Sequence, residues 1–77
     1  MRLDKFLKVS RILKRRTVAA EACRAGKVTV NGRDAKPAHT LKVGDEVELF
    51  FAAGSLKFRV LELKESAKKE DAAKMYE

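Results

Sequence analysis

The spacing of apolar residues changes at Gly26, and this change limits the folds open to the chain. Before Gly26, Leu3, Phe6 and Leu7 recur at the spacing of one helix face. After it, residues 27–30 alternate between polar and apolar side chains, which is the period of a strand with one buried face. A helical segment followed by a strand segment predicts an α+β fold.

The helical segment is predicted to contain two short helices. A single helix running from Arg2 to Arg16 would place Lys14 on the same face as Leu7, because each residue advances by about 100°. We therefore predict that the first helix ends near Ser10. Residues 11–16 then form a basic connector to the second helix.

The second helix is predicted over residues 18–25. Thr17 is its predicted N-cap, because a hydroxyl at that position can accept a hydrogen bond from an unpaired helix amide. Gly26 follows the helix, as is typical of the left-handed residue after a helix end.

The strand segment begins with a predicted hairpin. Asn31-Gly32 is a strong signal for a two-residue turn between antiparallel strands. The return strand is predicted over residues 33–36, since Pro37 cannot donate to a strand ladder.

Two longer strands are predicted after a turn at residues 43–45. In residues 46–51, Val47, Leu49 and Phe51 alternate with Glu46, Glu48 and Phe50, and they are expected to face the core although Phe50 does not fit the pattern. The last strand is predicted over residues 56–63, joined to the previous one by a loop at 52–55. The prediction is thus two short N-terminal helices packed on a small, mostly antiparallel, twisted β-sheet.

The end of the chain is predicted to be a polar tail. Residues 65–77 are either a short C-terminal helix or irregular, and residues 1–64 form the one predicted domain. A chain of 77 residues is long enough for a single small core and no more.

Positive charge is concentrated at the N-terminal end. The formal net charge is +7, and residues 1–36 carry eleven Lys/Arg against three acidic residues, whereas residues 37–77 carry seven against eight. Seven of these cations lie within the first sixteen residues: Arg2, Lys5, Lys8, Arg11, Lys14, Arg15 and Arg16. Such a cluster favours contact with a phosphate backbone over a merely solvated face.

The sequence offers little for catalysis or metal binding. Cys23 is the only cysteine and His39 the only histidine, so neither a thiolate cluster nor a nucleophile–base pair is predicted. Cys23 is expected to be a buried apolar side chain in a reducing compartment. No apolar run approaches the ~20 residues of a membrane span. We expect a cytoplasmic protein that is not an enzyme and has no cofactor.

The basic segment and the hairpin also carry a family resemblance. The motifs, in chain order, are Arg2-Leu3-Asp4-Lys5-Phe6-Leu7, Ser10-Arg11, Lys14-Arg15-Arg16-Thr17, Gly26-Lys27-Val28-Thr29-Val30-Asn31-Gly32 and Val43-Gly44-Asp45. Over residues 1–64 they resemble the RNA-binding domain named after small-subunit ribosomal protein S4. The run Asp4–Arg11 and the tail Lys68–Tyr76 are most similar to the stand-alone proteins of bacterial ribosome-associated quality control, the RqcP (YabO) type. A related heat shock protein is similar at the front but carries a long basic extension.

The resemblance implies a function on the ribosome. Such proteins bind large ribosomal subunits obstructed by peptidyl-tRNA, contact ribosomal RNA and the tRNA, and support alanine tailing by the elongation factor RqcH. The RNA contacts implied here are Arg2, Lys5, Arg11, Arg15, Arg16 and Thr17, whereas Lys8 and Lys14 are included for their charge alone. A monomer associated with the ribosome is expected.

Three alternatives remain open from the sequence. In the first, the chain is a general rRNA- or tRNA-binding factor of ribosome assembly or recycling. In the second, residues 1–16 form an amphipathic helix on a membrane surface. As a third alternative, it is a fragment of a pseudouridine synthase or tRNA synthetase, which carry similar domains. The start at Met1 and the absence of a catalytic remainder weigh against that last alternative.

Overall fold

The computed structural model describes residues 1–65 and 67–77 and confirms the α+β fold class. The first half contains helices α1 (Leu3–Val9) and α2 (Arg16–Arg24) and strands β1 (Val28–Val30) and β2 (Arg33–Asp34). The second half contains β3 (Glu46–Phe51), β4 (Gly54–Arg59) and a short helix α3 (Lys69–Ala72). The four strands form one sheet in the order β2-β1-β3-β4, with antiparallel neighbours throughout.

The apolar face of α1 lies in the core. Leu3, Phe6 and Leu7 are fully buried, as their spacing predicts, and the Phe6 ring stacks on Phe58 of β4 with centroids 6.2 Å apart. Cys23 of α2 is also buried, as expected. Since the apolar side chains of α1 are buried in the core, they are not available to insert into a membrane surface. No helix within residues 1–65 and 67–77 is long and apolar enough to cross a bilayer.

The predicted hairpin is present at Asn31-Gly32. Both residues have positive φ, 52° and 83°, as a type I′ turn requires, and Val30 pairs with Arg33 across it. The predicted return strand over residues 33–36 is too long, because the chain leaves the sheet after Asp34. The carbonyls of Pro37 and His39 instead accept hydrogen bonds from the first amides of α1, which have no partner within the helix.

The N-cap prediction for Thr17 is wrong. Ala19 donates its amide to the carbonyl of Arg15, so α2 begins at Arg16 and Arg15 is the N-cap, with no side-chain cap bond. Thr17 therefore lies in the first turn, and the helix ends at Arg24, one residue before the predicted end. Gly26 follows with φ +74°, as predicted.

The second hairpin is tighter than predicted. Phe51 pairs with Gly54, so the turn consists of residues 52–53 instead of a loop over 52–55. Strand β4 ends at Arg59 instead of continuing to Leu63, because Leu61 donates its amide to Met75 of the returning tail. Phe51 was expected in the core but is 51% exposed, since β1 extends only as far as the pair of Val28 with Leu49 and leaves the end of β3 uncovered.

The tail folds back onto the sheet. After α3, Met75 is fully buried in the core, and the Tyr76 ring meets Phe58 edge-on with centroids 5.3 Å apart. Tyr76 also forms an antiparallel bridge with Val60. Of the two options that the sequence left for residues 65–77, the structure has the short helix.

Candidate RNA-binding surface

The centre of the cationic surface is a buried carboxylate. Asp4, in the first turn of α1, is 3% exposed and accepts two hydrogen bonds from the Arg2 guanidinium, at 3.1 and 3.0 Å. Nη2 of Arg16, in the first turn of α2, lies 3.4 Å from the same carboxylate, and the Lys5 amide donates to it at 2.8 Å. Asp4 therefore joins the starts of the two helices and holds two arginines side by side.

The protonation state of Asp4 is set by two opposing effects. Burial alone would raise the pKa of this carboxyl, but the hydrogen bonds from Arg2, Arg16 and the Lys5 amide outweigh burial and leave the pKa below its ordinary value of 3.8. Asp4 is ionised at neutral pH. One carboxylate between two guanidinium groups leaves a net positive charge, and the Arg2 and Arg16 side chains remain 51% and 46% exposed.

Three further predicted cations lie along one groove. Lys8 at the end of α1 and Arg11 and Lys14 of the connector line a groove of about 320 Å³. Among the described residues, the rest of its lining is Val9 and Leu13 from the same segment, and Glu65 and Ala67 from the chain after β4. The groove thus combines cations with apolar lining, and the tail contributes to it.

Arg11 has an unusual backbone for its residue type. Its φ of +63° is left-handed, and its amide donates to the carbonyl of Lys8. Gly26 has the same conformation after α2, where its amide donates to Cys23. The two helices therefore end alike, with an arginine at one end and a glycine at the other.

The remaining predicted residues differ in their exposure and in whether they are paired with an acid. Lys5 forms an ion pair with Glu65 and is partly buried, so its charge is already compensated in the free protein. Arg15 and Thr17 are exposed on either side of Arg16 at the start of α2. Among the described residues, Asp4 and Glu65 are the acids that pair with these N-terminal cations, since Glu46 is held instead by Lys57 and Arg59.

Sequence reasoning missed two features of this surface. Asp4 was counted only as an acid that offsets positive charge, although an acid in the first turn of a helix is the signal that could have found its structural role. Lys64 and Lys68 were also missed. They line a second groove with Arg11, Ala67 and Asp71, which continues the first groove towards α3. No local pattern identifies them, because they lie in the half of the chain with no excess of positive charge.

Comparison with known proteins gives these contacts a family context. The S4 domain model matches residues 1–47, which contain all eight predicted RNA-binding residues. An RQC P-site tRNA stabilizing factor of Streptococcus pneumoniae is 60% identical over the whole chain and 88% of its own length. The chain belongs to the S4-domain family, and within it to the RQC P-site tRNA stabilizing factors. The Bacillus subtilis member of this group is 50% identical over 99% of the chain and 88% of its own length.

Solved structures show the same fold for the S4-domain family. The trimeric Vibrio cholerae heat shock protein 15 superposes with a TM-score of 0.93 at 27% identity, over all of this chain and 79% of that one. The hypothetical protein HP1423 superposes with a TM-score of 0.86 at 30% identity, over all of this chain and 94% of that one. The predicted resemblance to the S4-like family and to its heat shock relative is thus confirmed.

Proposed function

We propose that this S4-domain protein binds obstructed large ribosomal subunits during ribosome-associated quality control and holds the P-site tRNA against ribosomal RNA. It supports RqcH-dependent alanine tailing as a binding factor in the cytoplasm and catalyses no step itself. The names of its relatives support the place of action, and the S4 domain supports the binding of RNA. Its predicted contacts are Arg2, Lys5, Lys8, Arg11, Lys14, Arg15, Arg16 and Thr17.

The observation that carries this proposal is the arrangement of Arg2, Asp4 and Arg16. A guanidinium group presents a rigid fork of donors that matches phosphate oxygens, and its hydrogen bonds to a charged acceptor are strong. Asp4 fixes the two forks before RNA arrives, so less side-chain entropy is lost on binding than for free arginines. A surface prepared in this way stabilises an RNA in place without changing it chemically.

Holding a tRNA requires contact with two RNAs at once. The paired arginines lie at the start of α1, and the groove lies beyond its other end, about 10 Å away along a seven-residue helix. Contacts at both ends let one small protein touch two RNA segments. Once one segment is bound, the other binds at a raised effective concentration. The geometry therefore supports a factor that fixes the position of one RNA relative to another.

The protein is proposed to act as a monomer. Arg2, Asp4 and Arg16 all belong to one chain, and so do both walls of the groove, so the surface needs no second copy to be complete.

The test is co-sedimentation of variants with large subunits that hold peptidyl-tRNA. Arg16→Ala is expected to lower the affinity about tenfold or more, since a charge-assisted hydrogen bond contributes roughly 1.5–3 kcal/mol. Its Tm should fall by less than about 5 °C, because Arg2 still pairs with Asp4 and partly exposed ion pairs contribute ~0–1 kcal/mol.

Arg59→Ala is the matched control. Arg59 is also an exposed arginine paired with an acid, Glu46, but it lies on β4, away from the helix starts. This variant should co-sediment like the unaltered protein. Equal loss in both variants would contradict the proposal. Enrichment on subunits without peptidyl-tRNA would instead support a general assembly or recycling factor.

A further inference from the structure

The groove beside α1 has a composition that a flat phosphate-binding surface does not need. Lys8, Arg11 and Lys14 supply cations, whereas the largely buried Val9 and the partly buried Leu13 and Ala67 supply apolar lining. Phosphate contact alone requires cations at the surface of the protein. Apolar side chains among cations suit a ligand that has both an apolar part and an anionic part.

The groove is also small. Its volume of about 320 Å³ lies at the lower end of the range of ~300–1,000 Å³ for small-molecule sites, so it accommodates one compact group. It is open to solvent along the tail, where Lys68 and Lys64, the latter paired with Glu62, follow Arg11 in a second groove that Asp71 also lines. A nucleic-acid strand, with one phosphate per nucleotide, can therefore run along the groove from Lys14 towards Lys68.

We infer that this groove binds one unpaired nucleotide of an RNA, with its base on Val9, Leu13 and Ala67 and its flanking phosphates on the lysines and Arg11. Proteins that read RNA do so largely at unstacked bases in loops and bulges, which rest on flat or apolar side chains. The inference rests on the proposed function, because the groove lies at the opposite end of α1 from Arg2 and would hold the second RNA segment. It extends the binding surface beyond the matched S4 segment to Lys64, Ala67 and Lys68 of the tail.

Two features of the groove are consistent with an RNA occupant. The one carboxylate in its wall, Glu65, is already paired with Lys5, so its repulsion of phosphate is reduced. Arg11 keeps a left-handed backbone at the edge of the groove, where glycine would be less strained. Its guanidinium is thereby held at the point that the two grooves share.

Three synthetic RNA hairpins test the inference with the whole protein. The first has a single bulged adenosine, the second has the same bulge without its base, and the third has no bulge. Fluorescence anisotropy should show binding of the first at least about fivefold tighter than of the second, the low end of the contribution of one stacked base. The comparison with the abasic bulge removes the effect of a more flexible duplex.

Two variants of the tail test whether the preference for the adenosine bulge over the abasic bulge arises in the groove. Ala67→Glu places a carboxylate in the groove and should abolish the preference for the adenosine bulge. Ala73→Glu, which makes the same change at an exposed tail position outside the groove, should keep it. Arg16→Ala should weaken binding of all three hairpins alike.

A photocrosslink provides a readout that does not depend on variants. A 4-thiouridine placed at the bulge is expected to crosslink to residues 8–14 or 64–68. Equal binding of base-containing and abasic bulges, or crosslinks only to other surfaces, would overturn the inference and leave the proposed function intact. Failure to bind any of the hairpins would overturn both.

Discussion

Asp4 shows how an acid can strengthen a cationic surface. Its carboxylate is buried among three donors and costs the surface one positive charge. In return, the long side chains of Arg2 and Arg16 are oriented by the same carboxylate. Free arginines would have to be ordered by the RNA itself, at a cost in side-chain entropy.

The stabilisation by Asp4 should depend on pH. Because its folded-state pKa is lowered below 3.8, its contribution is present above that value and is lost as pH falls through the lower folded-state pKa. We expect the free energy of unfolding to fall less steeply in acid for Asp4→Asn than for the unaltered protein. Urea unfolding at a series of pH values between neutrality and acid measures the difference.

Asp34→Asn is the control for this experiment. Asp34 is exposed on β2 and makes no ion pair within the part of the chain that the structure describes. Its pH dependence should follow that of the unaltered protein. Identical curves for Asp4→Asn and the unaltered protein would mean that the carboxylate is not held by its arginines in solution.

Glu65 acts in the opposite sense, since it occupies a cation that RNA could use. Glu65→Gln is expected to strengthen RNA binding several-fold at low salt, because it frees Lys5 and removes a negative charge from the groove wall. The gain should shrink as salt screens this exposed pair. Titration of a labelled RNA at two salt concentrations measures it.

Glu70→Gln makes the same change of charge on α3, outside the groove. Glu70 is exposed and forms no ion pair with another described residue. It should show a smaller gain. A gain equal to that of Glu65→Gln would mean that only net charge matters, and not the pairing with Lys5.

For individual residues, the sequence predicted which cations form the surface but not which acid each one pairs with. The density of Lys and Arg in the first sixteen residues, with the family motifs, was sufficient to select Arg2 and Arg16. That Asp4 lies between them depends on how α1 and α2 pack, and that Lys5 meets Glu65 depends on a contact across sixty positions. Neither is visible in a local pattern.

The matching ends of α1 and α2 allow a direct comparison of elements. A left-handed residue after a helix is usually glycine, because other residues place Cβ too close to the backbone. Gly26 follows this rule after α2, whereas Arg11 departs from it after α1. An arginine at such a position suggests that its side chain is needed more than the stability a glycine would give.

Arg11→Gly should therefore separate stability from binding. We expect the variant to be more stable by ~1 kcal/mol, the cost of a left-handed non-glycine residue, and to bind RNA several-fold more weakly. Thermal unfolding and RNA titration provide the two measurements.

Arg11→Lys keeps both the charge and the strained backbone. This variant should have nearly the stability and most of the affinity of the unaltered protein. If Arg11→Gly lost stability instead, the left-handed residue would not be strained in the way that its φ indicates.

Elements fixed by local pattern were predicted well, whereas elements ended by distant contacts were not. Helix α1, the Asn31-Gly32 turn and β3 follow from spacing and turn chemistry within a few residues. Strand β2 ends early because the chain after it supplies carbonyls to the first amides of α1, and β4 ends early because the chain after it donates amides to the carbonyl of Met75 in the tail. Those partners lie more than ten residues away, beyond the reach of periodicity.

For the whole molecule, the separation of charge along the sequence has a counterpart in space. The acids of β3 are held on the sheet, Glu46 by Arg59 and Lys57 and Glu48 by Ser55, and so do not neutralise the helices. The Debye length of ~8 Å at physiological salt is short beside the 28 Å long axis of the molecule. RNA at the helices is therefore little affected by acids on the far part of the sheet.

Binding to RNA should consequently depend strongly on salt. Excluding Lys5, which is paired with Glu65, six predicted cations remain: Arg2, Lys8, Arg11, Lys14, Arg15 and Arg16. If each neutralises a phosphate, the affinity should fall by about 10³-fold between 50 and 200 mM salt. Equilibrium titration of a ribosomal RNA fragment measures the slope, and a slope equivalent to one or two phosphates would contradict a surface of this extent.

The position of Met75 has a consequence for how the protein comes into being. This side chain is fully buried in the core, yet it is synthesised after all three helices and all four strands. A nascent chain interrupted before Met75 lacks this core side chain, and the amides of Leu61 and Glu62 lack the carbonyl that accepts their hydrogen bonds. The core is thus completed only after the ribosome has translated Met75, so a copy that stalls before this codon lacks a side chain of the core beneath the RNA-binding helices.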